Sequence, residues 1–256
     1  MTTELTDDEI ISEAIKIVKE AEKRGIILRI MGALAIRIHS VGSEEMHKRL
    51  GRLGENTDKS FTDIDLIGYS SQRAGIRELM EKDLKFYISR QFLLIHGKDR
   101  LVYYHPLNLY HVDIFFDKLS FSHTIPFGKK GNGRLEMDSP TITPTDLFLE
   151  KIQIHQITEK DLKDIIVLLR NHELGEDDDD KINMLYISRL LGDDWGFWMD
   201  ATEKSLINID DLKDISEKCS KMLDFLERCP KTKNWEKRAK KGIKEKYWND
   251  VEELYI

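Results

Sequence analysis

The chain has 256 residues, 34% of them charged and 40% hydrophobic, with a formal net charge of −7. That length supplies surface for one large core or two modest ones, and the acidic balance argues against a nucleic-acid coat while leaving room for a local basic patch. Cys219 and Cys229 make no disulfide framework and have no zinc-like spacing; with no leader-like N-terminus and no membrane-spanning apolar run, the expectation is a cytoplasmic protein with no membrane partner.

Thr6-Asp7-Asp8-Glu9 matches a capping box, in which the hydroxyl and the Glu each satisfy a backbone N–H. Ile10, Ile11, Ala14, Ile17, Val18 and Ala21 follow at helical spacing, and Gly25 ends the helix. Residues 26–31 are short, β-branched and bounded by glycines, which predicts a strand. Gly32-Ala33-Leu34-Ala35 then turns into a helix running to about Ser40. A strand–Gly–helix junction presents backbone amides where phosphate can sit; equally, the Gly can simply relieve a tight turn. Residues 41–60 are polar, punctuated by glycine and basic, and predict a long loop.

The loop leads into Phe61-Thr62-Asp63-Ile64-Asp65-Leu66-Ile67, a predicted strand. Residues i and i+2 of a strand share a face, so Asp63 and Asp65 point one way and Ile64 and Leu66 face a core. Adjacent carboxylates repel unless a cation lies between them. Hydrated Mg²⁺, which takes oxygen ligands and often bridges carboxylates to phosphates, suits that place. The plain alternative is an edge strand with a solvated acidic face. A helix is predicted over 71–85, followed by strands over 92–96 and 101–104 and a turn at Pro106-Leu107-Asn108. Residues 110–116 alternate strongly, placing His111 and Asp113 on one face. If this strand lies beside the Asp63 strand, three carboxylates meet.

Pro140 and Pro144 bracket a change to helical composition, so the expected domains are residues 1–140 and 141–256. Thr143 or Thr145 can cap a helix carrying Leu147, Phe148, Lys151 and Ile152, and Thr158 opens a second helix. Residues 176–180 form an acidic loop without the ligand pattern of a calcium site. Residues 182–191 and 210–226 are helical by pattern, and Trp195-Gly-Phe-Trp198 is an aromatic packing cluster. The basic run 231–246, with Trp235 interleaved, is either a solvated terminal helix or a phosphate-binding surface.

The order strand–Gly32-Ala33–helix, Thr62-Asp63-Ile64-Asp65, then Val112-Asp113-Ile114, resembles the nucleotidyltransferase superfamily that includes DNA polymerase β. The segments around Lys151 and Lys160-Asp161 are similar to helices of the abortive-infection toxin nucleotidyltransferases, and Asp194-Trp-Gly-Phe-Trp198 to prokaryotic relatives of that class. The match runs from about Ile26 to Leu206. Two departures stand out. Ala33 occupies a position where the family usually has Gly or Ser, and the interval from Gly32 to Asp63 is long.

The resemblance implies an α+β fold: a small mixed sheet flanked by helices, then a C-terminal helical region. It implies transfer of NMP from an NTP to a hydroxyl of a small molecule, a tRNA or a protein, in a toxin-type enzyme with a possible antitoxin partner. Asp63, Asp65 and Asp113 would hold Mg²⁺ or Mn²⁺, with Asp113 assisting deprotonation of the acceptor. Gly32 and Ala33 would cradle phosphates, Lys59 and Lys151 would reach the triphosphate as point charges, and Lys160 and Asp161 would line the nucleotide site. For Asp161 the bland alternative is a helix cap, with Lys160 solvated. The competing functional class is a nucleotide- or partner-binding protein of the same fold without turnover.

Overall fold

The computed structural model of the protein describes residues 5–42, 61–205 and 213–251. The structure is α+β and divides into two compact units, Met1–Leu119 with Pro126–Thr143, and Ser120–Ile125 with Pro144–Ile256. The chain therefore crosses between units after Leu119, Ile125 and Thr143. No helix among the described residues is long and apolar enough to cross a membrane.

In the first unit, α1 (Asp7–Lys23) opens on the expected capping box: Glu9 N–H donates to the Thr6 hydroxyl, and Thr6 N–H donates to the Glu9 carboxylate. It buries Ile10, Ala14, Ile17, Val18 and Ala21, the stripe that its 3.6-residue period brings together. Gly25, at φ +67°, ends it. Strand β1 (Leu28–Ile30) leads straight into α2 (Gly32–His39), and β2 (Asp63–Gly68) follows. After it come α3 (Arg73–Glu78), β3 (Tyr87–Ile88), α4 (Arg90–His96), β4 (Arg100–Tyr104) and β5 (His111–Phe116). Short strands β6 (Lys118–Ser120) and β7 (Thr124–Pro126) lie where the chain passes between the units.

The sheet runs β1-β2-β5-β4-β3 and is mixed. Strands β2 and β5 are parallel, and the pairs β1–β2, β5–β4 and β4–β3 are antiparallel. A parallel neighbour needs a long crossover, and residues 69–110 supply it with α3, β3, α4 and β4. On one face of the three central strands, Ile64, Leu66, Val112, Ile114, Leu101 and Tyr103 are fully buried, each contributing about 1.5–3 kcal/mol. This apolar face fixes the register, because a one-residue slip would turn all of it outward.

Residues 92–96 correct the sequence expectation: they belong to α4, not to a strand. The Ser89 hydroxyl accepts from Phe92 N–H, Leu93 N–H donates to Ser89 O, and Leu94 and Ile95 are exposed. Four apolar residues and a histidine carry no period that separates helix from strand, and here the cap decides.

The second unit holds α5 (Pro144–Ile152), α6 (Glu159–Asn171), a parallel pair β8 (Leu174–Gly175) and β9 (Ile182–Asn183), α7 (Met184–Leu191), α8 (Trp195–Ser205), α9 (Lys213–Arg228) and α10 (Lys233–Ala239). The helix expected from Ile182 thus starts at Met184, capped by the Asn183 side chain. The Thr145 hydroxyl is not a helix cap but accepts from Asn183 N–H and donates to Lys181 O. Trp195 and Phe197 are buried, as packing requires. Within the basic run, Lys231 stands over the Trp198 and Trp235 rings and Arg238 over Trp195, so these two cations are engaged inside the unit.

Candidate active site

Alternation along β2 leaves Asp63 and Asp65 half-buried on one face and Ile64 and Leu66 buried on the other. The parallel register then does what neither strand does alone. Asp65 pairs with Asp113, and Asp63 with His111. Partners in register share a face, so the three carboxylates gather on one side of the β2–β5 pair. His111 Nε2 lies 3.7 Å from Asp63 Oδ2.

Asp113 is only 7% exposed. Its Oδ2 lies 3.2 Å from Arg100 Nη2, while its Oδ1 is buried with no hydrogen-bond partner among the described residues. Burial raises its carboxyl above the usual range; Arg100 and His111 work against that, and Asp63 adds to it. Arg100 comes from β4, two residues before Val102, the register partner of Asp113, and its guanidinium rests over the Phe92 and Phe115 rings. Sequence reasoning passed over Arg100. The predicted strand 101–104 stopped one residue short of it, and the buried run Leu101, Val102 and Tyr103 shows no alternation that would mark its face.

The β1–α2 junction closes the arrangement. Met31 N–H donates to Asp65 O at 2.9 Å, so the chain entering α2 is tied to the acidic strand. Gly32 opens α2 at φ +69°, and a Cβ there would stand 2.9 Å from Asp65 Oδ2. Only glycine combines that backbone conformation with that approach. Ala33 follows, half-buried, in the first turn.

The second unit holds the other predicted residues. Lys151 is buried, its Nζ 3.2 Å from Asp161 Oδ1 and 3.0 Å from Asp164 Oδ2. Asp161 also caps α6, accepting from Thr158 N–H and its hydroxyl. Burial works to raise the Asp161 carboxyl, but Lys151 and Thr158 outweigh it and hold it below the usual range. Asp164, fully buried and unremarked in the sequence, is the second carboxylate on Lys151. Lys160 is exposed in the first turn of α6. Lys59 lies outside the described residues.

Asp63, Asp65 and Asp113 offer oxygen atoms on one face, the ligand type hard divalent cations take, though their oxygens do not all lie within 4.8 Å of one another. The buried Asp113 Oδ1, which has no hydrogen-bond partner among the described residues, fits such a cation.

No known protein family matches the sequence, and no curated protein does. Among solved structures, an antigenic nucleotidyltransferase-like protein from Paracoccidioides brasiliensis is similar at 14% identity, with a TM-score of 0.36. The alignment covers 90% of this chain and 97% of that one.

Proposed function

We propose that the protein is a metal-dependent nucleotidyltransferase that moves a nucleoside monophosphate from an NTP to a hydroxyl acceptor. The observation that carries this reading is the pairing of Asp65 with Asp113 across two parallel strands, with Asp63 on the same face and Gly32 against Asp65. Phosphoryl chemistry asks a protein mostly for positioning and charge stabilisation, and that arrangement offers both.

Asp63, Asp65 and Asp113 would hold the cation, Mg²⁺ or Mn²⁺, which when bound neutralises triphosphate charge on both the attacking and leaving sides. The first turn of α2, from Gly32 and Ala33, turns backbone amides and the positive end of the helix dipole toward phosphate. Asp113, whose basicity burial raises, accepts the proton of the attacking hydroxyl. The hydroxyl oxygen bonds to the α-phosphorus as the bond to pyrophosphate breaks. Arg100 holds Asp113 in place through Oδ2 and leaves Oδ1 to act. Lys151, between Asp161 and Asp164, organises the second unit.

The test is incubation with each labelled NTP, Mg²⁺ or Mn²⁺, a total tRNA pool and a protein extract, beside Asp63→Asn. The reading expects label transferred by the wild type and not by the variant. Equal label with both proteins, or none with any NTP, counts against it.

A further inference from the structure

The strand-end row that begins at Asp63 continues across the sheet. Asp63 is in register with His111, His111 with Tyr104, and Tyr104 with Tyr87. Register partners share a face, so these four side chains form a line on the carboxylate side of β2, β5, β4 and β3. The next row inward, through Asp65, Asp113 and Val102, is closed by the fully buried Val102. The outer row is open: Tyr87 is 47% exposed, and Asp63 and His111 keep part of their side chains in solvent.

The two tyrosines are already arranged as a stack. Their ring centroids lie 5.3 Å apart with planes 19° from parallel. Tyr87 is steadied by a hydrogen bond between its hydroxyl and Asn108 Oδ1. With strands about 4.8 Å apart, β4 lies about 10 Å from β2, the span of a nucleotide from base to phosphate.

We infer that this open row is a base-stacking ledge, on which Tyr87 and Tyr104 hold an unpaired nucleobase whose phosphate end runs past His111 to the carboxylates. The inference rests on the proposed function for its reaction, but the binding stands by itself. A flat aromatic face accepts any base without sequence preference, and an edge strand of two residues leaves that face uncovered. The base comes either from the NTP or from the unpaired end of a single-stranded nucleic-acid acceptor.

The experiment measures anisotropy of a labelled single-stranded oligoadenylate, and calorimetry of a non-hydrolysable Mg·ATP analogue and of Mg·tripolyphosphate. The proteins are wild type, Tyr87→Ala, Tyr87→Leu, Tyr87→Trp and Asp65→Asn. Tyr87→Leu keeps apolar bulk on β3 should the alanine variant fail to fold. The expected result is a roughly tenfold or greater loss for the base-bearing ligand in the variants without a ring, retention in Tyr87→Trp, and unchanged tripolyphosphate binding. Loss confined to the oligonucleotide assigns the ledge to the acceptor; loss confined to the ATP analogue assigns it to the nucleotide. Folded ringless variants that bind both ligands as wild type does, or a wild type that binds neither, overturn the inference. Asp65→Asn separates the two ideas. Oligonucleotide binding that depends on Tyr87 in a protein without transferase activity leaves the ledge and removes the reaction, while transfer with ringless variants at unchanged affinity does the reverse.

Discussion

Asp65 and Asp113 lie side by side on one face of the sheet as register partners in adjacent parallel strands, one half-buried and the other almost wholly so. Burial raises the Asp113 carboxyl and the charge of Asp63, on the same face, adds to it, a cost that the folded state bears. Arg100, on one oxygen of Asp113, and then His111 work against it, while Gly32 leaves Asp65 the space a Cβ would take.

Gly32→Ala tests the room. The new Cβ would lie 2.9 Å from Asp65 Oδ2, on a backbone at φ +69°. Left-handed backbone costs an L-residue about 1–2 kcal/mol, so urea unfolding should show a loss of that order. Mg²⁺-dependent nucleotide binding should weaken along with it, because Asp65 must move. Wild-type stability and binding in this variant would mean that the contact is slack.

Arg100→Met tests the ion pair. Methionine keeps apolar bulk against Phe92 and Phe115 but leaves Asp113 buried without its cation. Removing one partner of a buried pair costs about 3 kcal/mol or more. Adding Asp113→Asn should restore part of the loss, since no stranded charge remains. A double-mutant cycle reads this directly; strictly additive effects would show that the pair contributes nothing.

Asp161 sets a pH dependence in the second unit. Its folded carboxyl lies below the unfolded value of 3.8. A depressed acid contributes stability that is present above the unfolded value and is lost as pH falls toward the folded one, because the unfolded chain takes up the proton first. Asp161→Asn should therefore cost about 1–3 kcal/mol at pH 7. The gap to wild type should narrow as pH drops through 3.8 and below. Thermal melts at pH 7 and pH 3 measure it; a gap that is constant with pH would assign the loss to packing.

The strongly periodic parts of the chain were legible in the sequence. The α1 stripe, the Gly32 turn, the Asp63–Ile64–Asp65 alternation and the His111–Asp113 face each follow from a local period or cap. The meeting of Asp65 and Asp113 was only conditional there, because strand pairing is a long-range choice that spacing does not encode. Arg100 and Tyr87 escaped notice for the same reason: their roles exist only once β4 and β3 take their places beside β5. The 92–96 error came from the opposite end of the scale, a run too short to show any period.

In the proposed site Asp65 binds metal and nucleotide together, and thermal unfolding of wild type and Asp65→Asn, with and without Mg²⁺ and a non-hydrolysable NTP analogue, tests this most directly. Neutralising one of three clustered carboxylates relieves repulsion, so the metal-free variant should melt no lower than wild type. Ligand at about a hundred times its Kd should add about 2.7 kcal/mol to the wild type and little to the variant, with Mg²⁺ and nucleotide each ineffective alone. A nucleotide-induced shift that is the same without Mg²⁺, or a metal-free variant that is already unfolded, would contradict the account and make Asp65 a structural residue.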